Sequence, residues 1–492
     1  MPAGSCAIIK VDKNQKGGPA MSSRNKGPYA QHFHLTPEQG LLNDPNGLCY
    51  FQGYYHIFYQ YNPYATDHST KYWGHVRTKD FVTYEQLPVA LKSDDWFDKN
   101  GVYSGGAIVH EDTLYLFYTG NTKDEAGRRT SYQCIATSTD GLHFTKLGPV
   151  TEQLPDYTGH VRDPKVWYDA TVQGWWMLLG AQRLDKTGDT VAFFSKDLKD
   201  WDYRGSIFQF DQPLGYMWEC PDMVFLTDEV TGQDKAVFIF SPQGVDPIGD
   251  SYHNIFNTTY LVGTWDSQTG RFLPDNADFA DMKECDRGFE YYAPQSFVAP
   301  DGRVIQYSWM GITWPDQEAA IPTRQDDWIH HLTIPRQLRL VDGKLYQTPI
   351  AELEGLAGAS QSLAWTSADF RLDLAGRAQR VQVDFETLAD WELFLDDNVT
   401  VKYQAAQGRL SLARFNWLTG LQEWRHMQLE EELKHLDLWL DASSLEVFVN
   451  GGQVVASLRY FAKEPLTRLE GKASADLQAK LVATQLEAHQ YI

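Results

Sequence analysis

The chain has 492 residues, 42% of them hydrophobic, and a formal charge of −22. Its length exceeds one ordinary core and points to two domains or one large repeat array. Its acidity argues against a nucleic-acid partner or an anionic membrane, either of which needs a basic face.

Taken in order, residues 1–28 are polar, rich in Lys, Gly and Ser, and read as a flexible lead-in. No apolar run of roughly 7–15 residues follows a basic region there, so no secretory signal is expected. No run nears the ~18 apolar residues of a membrane span. The five cysteines (Cys6, Cys49, Cys134, Cys220, Cys285) are scattered and form no CxxC pair. That spacing argues against a disulfide framework or a zinc site, and the expected location is cytoplasmic. On a strand, His32 and His34 share one face. A pair without a third ligand reads as structural, and neither a metal nor another cofactor is expected.

A repeat emerges from residue 40. Its unit is a polar residue at a turn, an apolar strand, a tight turn and a second strand. Gly, Pro and Asn pin the first turn around Asp44, and Pro45 biases it away from helical backbone. Further units start at Ser104, Asp163, Glu219 and near Ala293, at spacings of 60, 59, 56 and 74 residues. Pro follows four of these starts, as Pro45, Pro164, Pro221 and Pro294. The 14% aromatic share, with 16 Trp, suits strands and sugar-stacking surfaces better than helical bundles. Units of this size fit a four-stranded blade plus loops, so an all-β fold with a five-bladed β-propeller is expected over residues 29–348.

Residues 349–358 read as a linker. Beyond it alternation is clear: Val381, Val383 and Phe385, then Leu436, Leu438 and Leu440, then Leu445, Val447 and Val449. Asn450-Gly451-Gly452 is a hairpin signal. Residues 359–492 are therefore expected to form an antiparallel β-sandwich with a structural role, covering one side of the first domain.

In a propeller the first strand of each blade lines the central channel. Asp44, Asp163 and Glu219, far apart in sequence, then converge on one funnel. Clustered carboxylates repel, and their pKa values separate. That suits glycoside hydrolysis, in which one carboxylic acid protonates the leaving oxygen and one carboxylate attacks or activates water. The rival use, calcium binding, wants closely spaced oxygen ligands as in DxDxDG loops, and none is present.

The residues at these starts resemble a known family. LLNDPNG (41–47), WGH (73–75), YSGGA (103–107), VRDP (161–164), WECPD (218–222) and DASSLEVFVNGG (441–452) are similar, in order, to motifs of the β-fructofuranosidases of glycoside hydrolase family 32. YMWECPD and LTIPRQL (332–338) look most like the bacterial sucrose-6-phosphate hydrolases. The resemblance implies a propeller plus sandwich and a small-molecule fructoside substrate, with Asp44 as nucleophile and Glu219 as general acid and then base. The resemblance also implies that Asp163 would hold fructose hydroxyls and stabilise the oxocarbenium-like transition state. Arg162 orients a carboxylate or hydroxyl, Asn43 and Gln60 bond sugar hydroxyls, Trp73 and Tyr103 form apolar walls, and Ser104 adds a hydroxyl. Cys220 tunes the acid beside it. The implied reaction removes terminal fructofuranosyl residues from sucrose or sucrose 6-phosphate. Alternatives are a fructan hydrolase or fructosyltransferase, with Trp309 and Trp314 in the acceptor subsites, and a sugar-binding propeller without catalysis. For a substrate phosphate the candidates are Arg324, His330, His331 and Arg336. Leu42 and Gly106 depart from the family pattern at positions expected to shape subsite walls.

Overall fold

Each expected repeat start falls inside a long first strand. These strands are Gly40–Phe51, Val102–His110, Tyr157–Asp169, Met217–Thr227 and Tyr292–Val298 in the computed structural model. The structure describes residues 9–11 and 26–492, apart from 277–281, 367–368, 397, 465–466 and 475–476. Most of the expected lead-in therefore lies outside the described residues; within it, Ile9–Val11 pairs antiparallel with Ser360–Ser362.

The starts were expected to be turns, and the structure has bulges there instead. The ladder with the second strand slips between Leu42 and Pro45, Tyr103 and Gly105, Arg162 and Lys165, Glu219 and Asp222, and Tyr292 and Gln295. The cause is chemical. Proline has no N–H for the ladder, so it is tolerated in a paired strand at a bulge: Pro164, Pro221 and Pro294 fall inside the slip, and Pro45 resumes the ladder opposite Tyr59. Asp163, Cys220 and Ala293, each just before a Pro, take positive φ of 66°, 45° and 51°. Non-glycine residues there are strained and mark sites held by their surroundings.

Every first strand is followed by antiparallel neighbours, giving five sheets of four or more strands over residues 40–349. The first strand of each sheet lies beside that of the next, and the fifth lies beside the first. Hydrogen bonds cross these seams: Asn46 Oδ1 accepts from Gly105 N at 3.3 Å, Thr119 Oγ1 from Asp163 N at 3.0 Å, and Asp222 Oδ2 from Ser296 N at 2.8 Å. Trp328–Ile329 adds parallel to Gly40–Leu41 and ties the end of this region to its beginning. Because each sheet has a neighbour on both faces, interior strands are apolar throughout. In Gly174–Arg183, Trp176 and Leu178 pack toward Phe238 and Trp265, while Met177 and Leu179 pack toward Phe117 and Ile135.

The remainder of the chain folds into two facing antiparallel sheets. One contains Gln379–Thr387, His435–Leu440, Ser444–Val449 and Val454–Arg459; the other runs from Phe370–Asp373 to Gln422–Gln428. The expected inward residues, from Val381 to Val449, form their common core, with Phe385 packed at its margin. Asn450-Gly451-Gly452 makes the turn. At Gly452, φ is 91° and a Cβ would sit 1.8 Å from Gln347 O, so only glycine fits.

The two regions meet through buried charge. Arg336, expected as a phosphate ligand, is 1% exposed; it donates to Glu446 Oε2 at 2.5 Å and to Asp286 Oδ2 at 3.1 Å. His331 is also buried, with Nδ1 bonded to Leu332 O. Neither candidate faces solvent, and Arg336 ties the two regions together. His34 bridges Asp441 Oδ2 at 2.9 Å and Glu446 Oε1 at 3.0 Å, and His32 shares the Asp441 carboxylate. Burial opposes charge on His34, but the two carboxylates outweigh it and raise its pKa to about 9. A histidine whose folded pKa is raised contributes stability that is complete below about pH 6.5 and lost as pH rises through about 9. His34→Asn should cost about 3–5 kcal/mol at pH ~6, because it removes the buried cation that bridges Asp441 and Glu446. Urea unfolding of both proteins at pH ~6 and pH ~10 checks this; an equal pH dependence in the two would contradict the assignment.

Candidate active site

At one end of the ring of first strands, a cavity of about 370 Å³ is lined by Asn43, Asp44, Ser104, Arg162, Asp163 and Glu219. The bulges put them there. Three of them re-aim the strand so that adjacent residues, which would otherwise face opposite sides, both reach the cavity: Asn43 and Asp44, Tyr103 and Ser104, Arg162 and Asp163.

The three carboxylates sit in different surroundings. Asp44 Oδ1 accepts from Asn43 Nδ2 at 3.1 Å, and Asp44 Oδ2 accepts from Ser104 Oγ at 2.5 Å. Burial raises the Asp44 pKa; the Ser104 bond opposes this, and the charge of Glu219 adds to it. Asp163 Oδ2 accepts from Cys220 N at 3.0 Å. Burial is the main cause raising Asp163 to about 7, with Arg162 opposing and Glu219 reinforcing. Glu219 is the most heavily bonded. Its Oε1 accepts from Arg162 Nε at 3.0 Å and Nη2 at 2.5 Å. Its Oε2 accepts from Gln243 Nε2 and Tyr292 OH, both at 2.6 Å. Burial pushes its pKa up, but Arg162 and the Tyr292 bond outweigh that and hold it below the usual glutamate value. Burial thus favours the protonated form of Asp163, whereas Arg162 and Tyr292 favour the Glu219 anion.

The other expected site residues divide. Tyr103 lines the cavity, half-buried. Gln60 lines it too; one Nε2 hydrogen donates to Val102 O at 2.7 Å, which leaves its carbonyl oxygen and second N–H for a hydroxyl. Trp73 does not line it: the ring is fully buried among Phe58 and Tyr118, with Nε1 bonded to Tyr103 O at 3.1 Å. It acts on the wall only by holding Tyr103. Cys220 is buried with Sγ 4.0 Å from Asp44 Oδ2, and burial keeps it a thiol. Trp309 lines the cavity, whereas Trp314 is 56% exposed outside it. Leu42 is core and Gly106 faces Pro164 O, so neither departure reaches this cavity.

Several lining residues were not anticipated: His68, Lys71, Arg129, His160, Gln243, Tyr292 and Glu318. Tyr292 had a signal. Arg162, Glu219 and Tyr292 each precede the positive-φ residue and its Pro, in Arg-Asp-Pro, Glu-Cys-Pro and Tyr-Ala-Pro. The residue equivalent to Glu219 in the third sheet is thus Arg162, one position before Asp163. His68 Nε2 lies 3.3 Å and His330 Nε2 3.4 Å from Glu318 Oε2. Three such groups suggest a metal. Yet His68 Nδ1 accepts from Lys71 and His330 Nδ1 from Arg459, so each Nε2 carries the ring proton and faces the carboxylate as a donor.

The model for the glycosyl hydrolases family 32 N-terminal domain matches residues 34–349, and that for the family's C-terminal domain matches 344–489. The chain belongs to glycosyl hydrolase family 32. Among family 32 relatives, the sucrose-6-phosphate hydrolase of Bacillus subtilis is 39% identical over 447 residues, covering 89% of this chain and 90% of the relative. That of Klebsiella pneumoniae is 39% identical over 438 residues, covering 88% and 89%. The structure of the Lactobacillus gasseri sucrose-6-phosphate hydrolase superposes with a TM-score of 0.82 at 29% identity, covering 94% of each chain. A Bombyx mori family 32 β-fructofuranosidase in complex with sucrose gives 0.78 at 28% identity, covering 95% of this chain and 96% of that one.

Proposed function

We propose that this family 32 chain is a retaining β-fructofuranosidase that hydrolyses the fructosyl bond of sucrose or sucrose 6-phosphate. The observation that carries the reading is the convergence of Asp44, Asp163 and Glu219 from three first strands into one cavity, each with a different set of donors. The ring of five sheets supports a five-bladed propeller over residues 29–348, and the facing pair supports a sandwich over 359–492 after the 349–358 linker. The sandwich is structural, and its residues enter the molecule's chemistry only through the buried interface.

In the reaction, Asp44 attacks the anomeric carbon of fructose, and Glu219 protonates the oxygen that leaves with the second sugar. Water then attacks the fructosyl ester, with Glu219 as base. Ser104 and Asn43 hold the Asp44 oxygens, so the attacking lone pair is aimed without rotamer search. Asp163 accepts hydroxyls of the bound fructose. Those bonds favour its carboxylate and return its proton to the trio, where Glu219 takes it up. Tyr292 can serve both states, donating to the anion and accepting from the acid. Arg162 keeps the total charge of the trio tolerable.

One proton on the trio is thus required, and kcat/KM should fall as pH rises through about 7. Tyr292→Phe removes a bond that favours the Glu219 anion, so this limb should move upward and kcat should drop about tenfold. A pH profile with an unmoved limb would separate Tyr292 from the acid.

The four described cysteines are all buried and unpaired, which supports a cytoplasmic location. No helix among the described residues is long and apolar enough to cross a membrane. The test of the reading is fructose release from sucrose, sucrose 6-phosphate and inulin, with methanol added as a trap. Retention gives the β-methyl fructofuranoside. Binding without release of fructose, or the α-product, would overturn it.

A further inference from the structure

The cavity holds three carboxylates, but its lining also includes two cations, Lys71 and Arg129. Arg129 opens the third strand of the second sheet, Arg129–Ser138, and Lys71 directly precedes the third strand of the first, Tyr72–Thr78. Both are a strand removed from the channel, outward of the carboxylates on the first strands, and both line the cavity. They flank one aromatic wall. The Arg129 guanidinium lies over the Tyr103 ring at 5.3 Å. A Cβ built on Gly101 would be 2.6 Å from Tyr103 Cε1 and 3.0 Å from Lys71 Cβ, so Lys71 and Tyr103 meet there.

Neither cation has a carboxylate within 4.0 Å among the described residues. Lys71 Nζ uses one donor on His68 Nδ1 at 2.9 Å. Arg129 has its ring contact and no hydrogen-bond partner for the guanidinium among the described residues. The contrast with Arg162, Arg336, Arg414 and Arg459 is plain, since each of those is bound to buried carboxylates. Arg324, Arg377 and Arg425 are likewise half-buried without a carboxylate partner among the described residues, but of these four only Arg129 lines the cavity. His160 adds a third donor on the same side. Its Nδ1 accepts from Arg162 Nη1 at 2.8 Å, which puts the ring proton on Nε2.

We propose that Arg129, seconded by Lys71 and His160, is the specificity determinant for a phosphate on the leaving sugar. This rests on the fructosidase reading and deepens it: the preferred substrate is a sucrose phosphorylated on its glucosyl half. A phosphate near neutral pH carries close to two negative charges. It would be repelled by the three carboxylates, and it needs a planar fork of donors, which a guanidinium supplies. Of the residues expected from sequence for this role, Arg324 sits on the turn Pro322–Asp326 and does not line this cavity. Arg336 is bound to Glu446 across the interface, His331 is buried with Nδ1 on Leu332 O, and His330 faces Glu318 and Arg459.

The test compares kcat/KM for sucrose 6-phosphate and for sucrose in wild type, Arg129→Met and Arg129→Lys. Wild type should favour the phosphorylated substrate. Arg129→Met should lower kcat/KM for it by about 10- to 100-fold, mainly through KM, and reduce the preference by a similar factor. Arg129→Lys should recover part of the loss. Added salt should weaken turnover of the phosphorylated substrate more than that of sucrose. Equal losses on both substrates would make Arg129 a wall residue and sink the proposal, as would a wild type indifferent to the phosphate. Lys71 is left intact because its charge also acts on Asp44. Failure of the underlying reading is distinguishable: it would show as no fructose released from either substrate by wild type.

Discussion

Asp44→Ala is expected to lower kcat on sucrose by about 10⁴- to 10⁶-fold, with the fold intact. The size of the loss follows from what the residue does. Without Asp44 there is no carboxylate opposite the leaving group, and the double displacement loses its first bond-forming step. No neighbour can take over. Asp163 is turned to Cys220 N, and Glu219 is committed to Arg162, Gln243 and Tyr292. Cys220 is close, but it is a buried thiol kept protonated by burial and by the charge of Asp163. Folding should survive because Asp44 is only half-buried and its partners are the short side chains of Asn43 and Ser104. Circular dichroism and a urea midpoint near the wild-type value would establish that.

Glu219→Gln has the second largest expected effect, and its signature is selective. An amide cannot deliver a proton to the glucosyl oxygen, so sucrose turnover should fall by about 10²- to 10⁴-fold. A fructoside whose leaving group departs without protonation, such as fructosyl fluoride, needs no acid for the first step. With it the fructosyl-enzyme should form at near wild-type speed and then persist, because the base for the second step is also gone. Equal loss of the first step on both substrates would assign Glu219 to positioning. The amide also breaks the pairing with Arg162, so part of the loss on sucrose reflects an unbalanced guanidinium.

Much of the architecture was legible because proline chemistry is local. A residue without an N–H marks the place where a strand leaves its ladder, and Pro45, Pro164, Pro221 and Pro294 mark four of the five bulges. The sandwich core was legible through simple alternation, as at Val381 and Val383. The bulge itself was not. Because it consumes a residue, it shifted the apparent equivalence of Asp163 and Glu219 by one and hid Tyr292. Trp73 looked like a sugar platform because composition does not distinguish a buried indole from an exposed one. Arg336 looked like a phosphate ligand because its partners, Asp286 and Glu446, are 50 and 110 residues away in sequence. The cations Lys71 and Arg129 sit just before and at the start of third strands and follow no repeat signal.

The central claim is that Asp44 becomes covalently bonded to fructose while Glu219 serves as acid and base. Mass spectrometry of Glu219→Gln incubated with fructosyl fluoride, followed by peptide mapping, tests it most directly. The account predicts a fructosyl adduct on the peptide carrying Asp44, absent when Asp44 is also replaced. An adduct on the peptide carrying Asp163, or turnover of the fluoride with no adduct and inversion at the anomeric carbon, would contradict it.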